Sequence, residues 1–184
     1  MTVSAGADAA VTALRIVPAH MDDDVTVRLA RPDDWPAVAG LLVELGRGVA
    51  AGTADDTTHQ LQFAGHIRQI EHVTLVAEAG GEVLGVVDME YHQRLGDHRP
   101  QARVNDLVVT ERARGRGVGR VLLTRAEALA RKRGCFRMAL VTAAWREQTI
   151  AFYGREGWQD YGAWFVKPLT DDVGPGGQPL RDDT

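Results

Sequence analysis

An arginine- and glycine-rich segment between an apolar strand and a helix has the residue types that bind a phosphate group. Glycines and arginines alternate along it: Arg112, Arg114, Gly115, Arg116, Gly117, Gly119 and Arg120. Glycine bends the backbone without a Cβ clash, so successive N–H groups can point at one anion beside the positive end of the next helix. The segment predicts an anion-binding turn. A glycine-rich connection with solvated arginines is the alternative.

The helix predicted after the turn is marked at both ends. Its apolar residues recur at steps of three and four and form one stripe: Val118, Val121, Leu122, Ala126 and Leu129. It closes with Arg131-Lys132-Arg133-Gly134. Basic side chains suit the negative helix end, and glycine suits the left-handed residue beyond it. The pattern predicts a helix over 117–133.

Two common nucleotide-binding motifs do not fit this turn. A P-loop closes with lysine followed by serine or threonine, whereas Arg120 and Val121 follow Gly119 here. A dinucleotide fingerprint spaces its glycines differently and has an acidic residue about 20 positions later, where this chain has Gly134-Cys135-Phe136. The turn therefore predicts a phosphate-bearing ligand of another kind.

The turn and the segments around it resemble the GNAT family of N-acetyltransferases. Arg114-x-x-Gly117-x-Gly119 is similar to the family's pyrophosphate-binding signature, and Phe152-Tyr153-x-x-x-Gly157-Trp158 is similar to its late helix and following turn. The resemblance begins near residue 25 and covers most of the chain. It implies an N-acetyltransferase that uses acetyl-CoA as cosubstrate and requires no metal.

The resemblance also implies which residues contact the coenzyme. They lie on one strand and in the turn after it: Leu107, Val108, Val109, Arg114, Gly115, Arg116, Gly117, Val118, Gly119 and Arg120. The family's late segment often carries an asparagine six residues before the phenylalanine and an alanine three before it. This chain has Arg146 and Thr149 there, so no coenzyme contact is inferred from that asparagine.

Transfer of an acetyl group to an amine needs two proton-transfer roles. An amine with the pKa of lysine, about 10.4, must lose a proton, which costs about 4–5 kcal/mol at neutral pH. The resemblance implies Tyr153 as the acid that protonates the leaving sulfur and Asp106 as the base. Asp88, Glu90 and His92 alternate along one predicted strand and are alternative bases.

The strand before the turn has an irregular pattern. Val104 and Leu107 are three residues apart, whereas strict alternation keeps one face at steps of two. A bulge at Asn105 or Asp106 would explain the step and would free a backbone N–H that could hold the thioester carbonyl. A strand buried on both faces is the alternative.

The histidines give a weaker signal. His66 and His72 are six residues apart near one predicted helix, which predicts rings on different faces and argues against a shared metal. His59 lies earlier on the same helix. His92 and His98 flank the loop before the coenzyme strand, where an acceptor could lie, although surface histidines are the simpler interpretation.

The alternating pattern predicts fold class α/β (α+β), a single-domain GNAT-like fold with a mixed, mostly antiparallel central sheet and helices on both faces. Strands are predicted at 25–30, 73–79, 82–92, 101–109 and 137–142, with two more near 159–168. Helices are predicted from Asp33, over Thr57 to Ile70, over 117–133 and over 147–156. The domain spans 25–169, between flexible tails at 1–24 and 170–184; Met21 is an alternative start.

Composition limits the kind of protein. The chain has 184 residues, 45% hydrophobic content and a formal net charge of −4, which fits one globular domain and argues against a nucleic-acid partner. An RNA-binding patch at the turn is the remaining nucleic-acid hypothesis. Cys135 is the single cysteine and is expected to be a small buried hydrophobe. We find no membrane span or secretion signal and predict a cytoplasmic location.

The acceptor is less defined than the coenzyme. We expect a small-molecule amine, and the strand, late helix and final segment look most like small-molecule amine acetyltransferases, including those acting on aminoalkylphosphonates. Aminoglycosides, polyamines and a protein amino terminus remain open. A non-catalytic acyl-CoA-binding sensor is the alternative from another class, and the chain could form a homodimer.

Overall fold

The computed structural model describes residues 25–46 and 57–162. The tails predicted at 1–24 and 170–184 lie outside these residues, as does the part of the last predicted strand pair beyond 162. Residues 159–162 form no strand. The domain boundaries at 25 and 169 therefore stay predictions.

The described residues form one five-stranded sheet in which the strands follow chain order. The strands are β1 Thr26–Leu29, β2 His72–Ala79, β3 Glu82–His92, β4 Gln101–Val109 and β5 Met138–Leu140. Neighbouring strands are antiparallel from β1 to β4, and β5 is parallel to β4. The mixed, mostly antiparallel sheet predicted from the sequence is confirmed.

Four α-helices in the described residues surround the sheet. They are α1 Trp35–Leu45, α2 Thr57–His66, α3 Val118–Lys132 and α4 Glu147–Arg155. Helix α2 ends at His66, four residues short of the predicted Ile70, and the chain then turns back into β2. The early end matters for the candidate site, because it moves His66 away from helical spacing with His72.

Alternating side chains divide the sheet into two faces. Leu75, Val87 and Met89 pack with the apolar stripe of α3. Val76 and Val86 face the other way and pack with the apolar side of α1 and with Phe63 of α2. Helices therefore cover both faces, as predicted.

An ion-paired group anchors the start of α1 to the sheet. Both terminal nitrogens of the Arg28 guanidinium donate to Asp34, at 2.7 and 2.8 Å, and its Nε donates to Glu78 at 2.8 Å. Burial tends to raise the pKa of Asp34, but the hydrogen bonds from Arg28 and from the Arg31 N–H outweigh burial and lower it. The carboxylate thus stays charged and holds the chain entering α1 against β1 and β2.

Strand β4 contains the bulge that its apolar spacing predicted. Asp88 lies opposite Asp106, but Met89 lies opposite Val104, so Asn105 is an extra residue in β4. The extra residue changes which face the following side chains occupy. Val104 and Leu107 both pack on the α3 side, while Asp106 shares the opposite face with Asp88.

Candidate active site

The glycine-rich turn connects the end of β4 to the first turn of α3. Gly115 has φ +76° and Gly117 has φ +83°, which is the left-handed region that favours glycine. Gly117 directly precedes Val118, the first residue of α3. The first N–H groups of a helix have no acceptor within the helix, so this end of α3 presents donors and the positive end of the helix dipole.

Gly119 has a packing role beside the turn. A Cβ at this position would lie 3.4 Å from Cζ of Phe152 and 3.7 Å from Cγ2 of Val109. A larger residue would therefore push against α4 at the point where that helix approaches α3. Gly119 links the turn to the helix that carries Tyr153.

The arginines of the turn are engaged with neighbouring groups. Arg114 Nε donates to the Val109 carbonyl at 3.1 Å, and the Arg114 guanidinium lies 3.5 Å from Glu44. Arg120 pairs with Glu156 at 2.8 Å. These carboxylates partly neutralise the turn, so its net positive charge is smaller than the arginine count suggests.

One edge of β4 is open beside the turn. Strand β5 pairs with Ala102, Arg103 and Val104 only. From Asn105 to Val109, this edge has no partner strand among the residues that the structure describes. A strip of backbone donors and acceptors therefore runs from the bulge to the turn, where an extended ligand can bind as a strand would.

Tyr153 lies on α4 in an aromatic cluster. Its ring centroid is 5.3 Å from that of Phe152 and 5.7 Å from that of Trp158. Burial raises the pKa of Tyr153 to about 12, although the charge of Arg146 acts in the opposite direction. The phenol is therefore protonated at neutral pH.

The α1 side of the sheet becomes polar beyond Val76 and Val86. Two rows of side chains that lie opposite one another across β2, β3 and β4 form a surface that we call the polar face. The rows are Thr74, Asp88 and Asp106, then His72, Glu90 and Arg103. This face contains three of the four side chains predicted as bases: Asp106, Asp88 and Glu90.

Asp88 is the most connected carboxylate of the polar face. Its side chain is 13% exposed and its Oδ1 lies 2.8 Å from His66 Nε2. Thr74 Oγ1 donates to Oδ1 at 2.7 Å, and Asn105 Nδ2 donates to Oδ2 at 3.2 Å. These contacts hold the carboxylate in one orientation beside the bulge.

The other predicted bases differ in position. Asp106 is directly opposite Asp88, whereas Glu90 is bound by Arg103 at 2.6 Å. His92 is four residues beyond Asp88 on an extended strand, about 13 Å away, and it contacts Gln101 at 2.9 Å. His92 is therefore distant from the bulge, whereas Asp88 and Asp106 lie beside the bulge.

The expectation that His66 and His72 point to different faces is wrong. Their ring centroids are 4.4 Å apart in an edge-to-face arrangement. Helical periodicity does not relate them, because α2 ends at His66 and His72 begins β2. His59 stacks on Trp35 and His98 is exposed, away from this pair.

Sequence reasoning missed the partners of Asp88. His66, Thr74 and the side chain of Asn105 converge on it from 22, 14 and 17 residues away in the chain. Strand alternation from Val76 could have found Thr74, but no local signal identifies His66. Cys135, by contrast, is partly buried against the core, and burial raises the pKa of its thiol, which fits the predicted packing role.

The five-stranded sheet and the strand–glycine turn–helix unit define an α/β protein with a glycine-rich turn next to a strand edge that β5 does not cover. The model of the acetyltransferase (GNAT) family matches residues 37–158, and the chain belongs to this family. Acyl transfer is thus the general activity of its relatives.

A curated relative and two solved structures illustrate the similarity. N-acetyltransferase family 8 member 2 of Rattus norvegicus is 32% identical over 91 residues, which cover 50% of this chain and 40% of that protein. The chain therefore spans less than half of the length of that relative. A transcriptional regulator from Bacillus halodurans C-125 superposes with a TM-score of 0.73 at 23% identity, covering 79% of this chain and 99% of that one.

Glucosamine-6-phosphate N-acetyltransferase from Arabidopsis thaliana superposes with a TM-score of 0.69 at 18% identity, covering 80% of this chain and 100% of that one. At such identities the two solved structures establish the shared fold. None of the helices in the described residues is both long and apolar enough to span a membrane.

Proposed function

We propose that this protein transfers an acetyl group from acetyl-CoA to a primary amine of a small molecule, by direct attack of the amine on the thioester. The observation that carries the proposal is the open edge of β4, which runs from Asn105 into the glycine turn. Coenzyme A combines a diphosphate with an amide-containing arm. The turn is complementary to the diphosphate, and the open edge is complementary to the amide-containing arm.

The residues of the turn fit such a ligand. The left-handed glycines at 115 and 117 leave the approach to the start of α3 without side chains, since a Cβ at Gly115 would contact nothing within 4 Å. Leu107, Val108 and Val109 supply backbone groups along the arm. The bulge at Asn105 disturbs strand pairing at the far end, where a backbone N–H directed at the carbonyl oxygen would stabilise its negative charge.

The polar face provides the proton acceptor in this proposal. A cationic amine approaching the bulge meets Asp88 and Asp106 together, because these residues lie opposite each other on one face. Asp88 is oriented by Thr74 and Asn105, so it is the first choice for accepting the ammonium proton, with Asp106 as its partner. Glu90 is less available because Arg103 binds it.

Tyr153 provides the donor for the leaving sulfur. A thiol resembles cysteine, whose pKa is about 8.5, so full proton transfer from a phenol of pKa about 12 is uphill by roughly 3.5 pKa units, or about 5 kcal/mol. Tyr153 therefore acts through a hydrogen bond to the sulfur, which stabilises the developing thiolate before the proton moves. The transfer needs no metal.

The charge of the polar face favours a cationic amine as the acceptor. The polar face carries three carboxylates, Asp88, Glu90 and Asp106, which attract a cationic amine. The Arabidopsis thaliana structure is named for acetylation of a small amino sugar phosphate. We extend small-molecule chemistry to this chain as part of the proposal, with a protein amino terminus as the alternative acceptor.

Thiol release from acetyl-CoA across a panel of small amines, together with calorimetric titration of coenzyme A, tests the proposal. We expect Tyr153→Phe to lower kcat by about 100-fold or more while coenzyme binding is retained. Tyr91→Phe is the matched control, since burial raises the pKa of Tyr91 to about 12 as well, but its ring lies beside Arg133. The wild-type rate should not fall through phenol ionisation at pH values up to about 10, because the raised pKa keeps Tyr153 protonated.

Two results would contradict the proposal. If coenzyme A does not bind at millimolar concentration, it is not the ligand of the glycine turn. Binding without turnover of any amine would instead support the acyl-CoA sensor, because the coenzyme would be held without a productive acceptor.

A further inference from the structure

We propose that His66, His72 and Asp88 form a binding site for a zinc ion on the polar face. Each residue offers one ligand atom, and these atoms all lie within 4.8 Å of one another. Two imidazoles and one carboxylate are typical zinc ligands, and three protein ligands leave one position of a tetrahedral ion open. The geometry therefore matches a site that binds zinc and one further small ligand.

Three different elements hold these ligands. His66 is the last residue of α2, His72 is the first of β2, and Asp88 lies within β3. The two rings already touch, with centroids 4.4 Å apart and planes at 62°. Since packing of the helix end against the sheet brings the side chains together, little ordering remains to be done when an ion binds.

One ring nitrogen of His72, Nδ1, is buried and has no hydrogen-bond partner within the part of the chain that the structure describes. A buried polar atom without a partner is unfavourable, so such atoms are uncommon unless a water or ion satisfies them. An ion at the centre of the cluster would engage this ring.

Hydrogen bonds orient the Asp88 carboxylate, as is usual for a metal ligand. Thr74 and Asn105 donate hydrogen bonds to Asp88 and fix its orientation, which is the role of outer-shell partners around metal sites. Glu90 adds a second carboxylate, with its Oε2 3.9 Å from His72 Nε2. The surroundings thus supply negative charge for a divalent cation.

Zinc binding requires a small rearrangement. His66 Nε2 and Asp88 Oδ1 are 2.8 Å apart, which is a hydrogen-bond distance. Two ligand atoms of a tetrahedral zinc ion with bonds of about 2.0–2.1 Å lie about 3.3 Å apart. Side-chain rotation opens the contact, and the single proton of the neutral His66 ring sits on Nδ1 when Nε2 binds the ion.

The ion would act as an inhibitor, an inference that depends on the proposed function. Zinc held by Asp88 occupies the carboxylate proposed to accept the ammonium proton. It also places positive charge where the cationic amine must approach. Acetyl transfer should therefore decrease as the site fills and recover when a chelator removes the ion.

Calorimetric titration of zinc chloride into the untagged, chelator-treated full-length chain tests the site without coenzyme or amine. We expect saturable binding of one ion per chain, and a four-coordinate visible spectrum when cobalt(II) replaces zinc. His66→Gln and His72→Gln should each weaken binding by about 100-fold or more, because each removes a ligand. His98→Gln, at an exposed histidine, is the matched control and should bind zinc as the wild type does.

Other results would overturn the site. They are the absence of saturable binding at millimolar zinc, or undiminished affinity in the His66→Gln, His72→Gln double variant. Circular dichroism checks that the variants fold. If a variant does not fold, the cobalt spectrum of the wild type still tests the site. If zinc binds but acetyl transfer is unchanged, only the inhibitory role is overturned. If the protein binds zinc but acetylates no amine, the proposed function is refuted and the zinc site still stands.

Discussion

The glycine turn and the polar face are built in opposite ways. The turn is one short segment whose backbone angles follow from residue type, with left-handed glycines at 115 and 117. The polar face is collected from β2, β3 and β4, with His66 of α2 beside it, and the hydrogen bonds of Asp88 join residues 14 to 22 positions apart. The region proposed to bind coenzyme is thus encoded locally, whereas the region proposed to bind the acceptor depends on strand register and on where a helix ends.

The largest expected effect comes from breaking the acceptor side. We expect Asp88→Asn to lower kcat/KM by about 100-fold, since a neutral amide cannot accept the ammonium proton, while coenzyme affinity stays unchanged. Asp33→Asn, at an exposed aspartate before α1, is the control for loss of one negative charge. Steady-state kinetics and coenzyme titration measure the two quantities. An equal loss of coenzyme affinity would mean that the two regions are not separable.

A glycine pair tests the coenzyme side with an intermediate effect. Gly115 and Gly134 have φ of +76° and +83°, and a Cβ at either would meet nothing within 4 Å. Substitution of either glycine by alanine should therefore lower the free energy of unfolding by about 1–2 kcal/mol. Only Gly115→Ala should weaken coenzyme binding, by about tenfold, because relief of the strain rotates the N–H groups of the turn.

Thermal unfolding and coenzyme titration of both variants measure this comparison. Equal losses of coenzyme affinity in Gly115→Ala and Gly134→Ala would attribute the effect to general destabilisation. The turn would then lose its assigned role in binding.

The smallest expected effect comes from the charge around the turn. Glu156 holds Arg120 at 2.8 Å, so Glu156→Gln should release the guanidinium toward the coenzyme. We expect coenzyme affinity to rise by about threefold at low salt, since exposed pairs are weak, and the gain to disappear at high salt. Unchanged affinity at low salt would show that Arg120 does not reach the phosphates.

Much of the fold was predictable because its signals are short-range. Alternation gave β3 at its observed bounds of Glu82–His92, and the three-residue step from Val104 to Leu107 predicted the bulge. Gly80 and Gly81, with φ of +58° and +81°, fill the two-residue gap between the strands predicted at 73–79 and 82–92 and form a hairpin turn. Each of these features depends on residues close together in the chain.

The candidate site was predictable only in part. Asp88 and Asp106 were both identified, but their position opposite each other follows from register, which alternation along single strands does not give. The contact of His66 with His72 was missed because it depends on α2 ending four residues earlier than its pattern predicted. The site residues were recognisable by type, but contacts between residues distant in the chain could not be predicted from local patterns.

The single extra residue at Asn105 also decides what the sheet can bury. If all residues were kept but β4 had no bulge, strict alternation from Val104 would place Asp106 on the side covered by α3, among Leu122 and Met89. A charged carboxylate there would lose its hydration without gaining a partner. Deleting Asn105 would keep both halves of β4 in register with β3, with Val104 opposite Met89 and Asp106 opposite Asp88, but it would remove the amide that donates to Asp88.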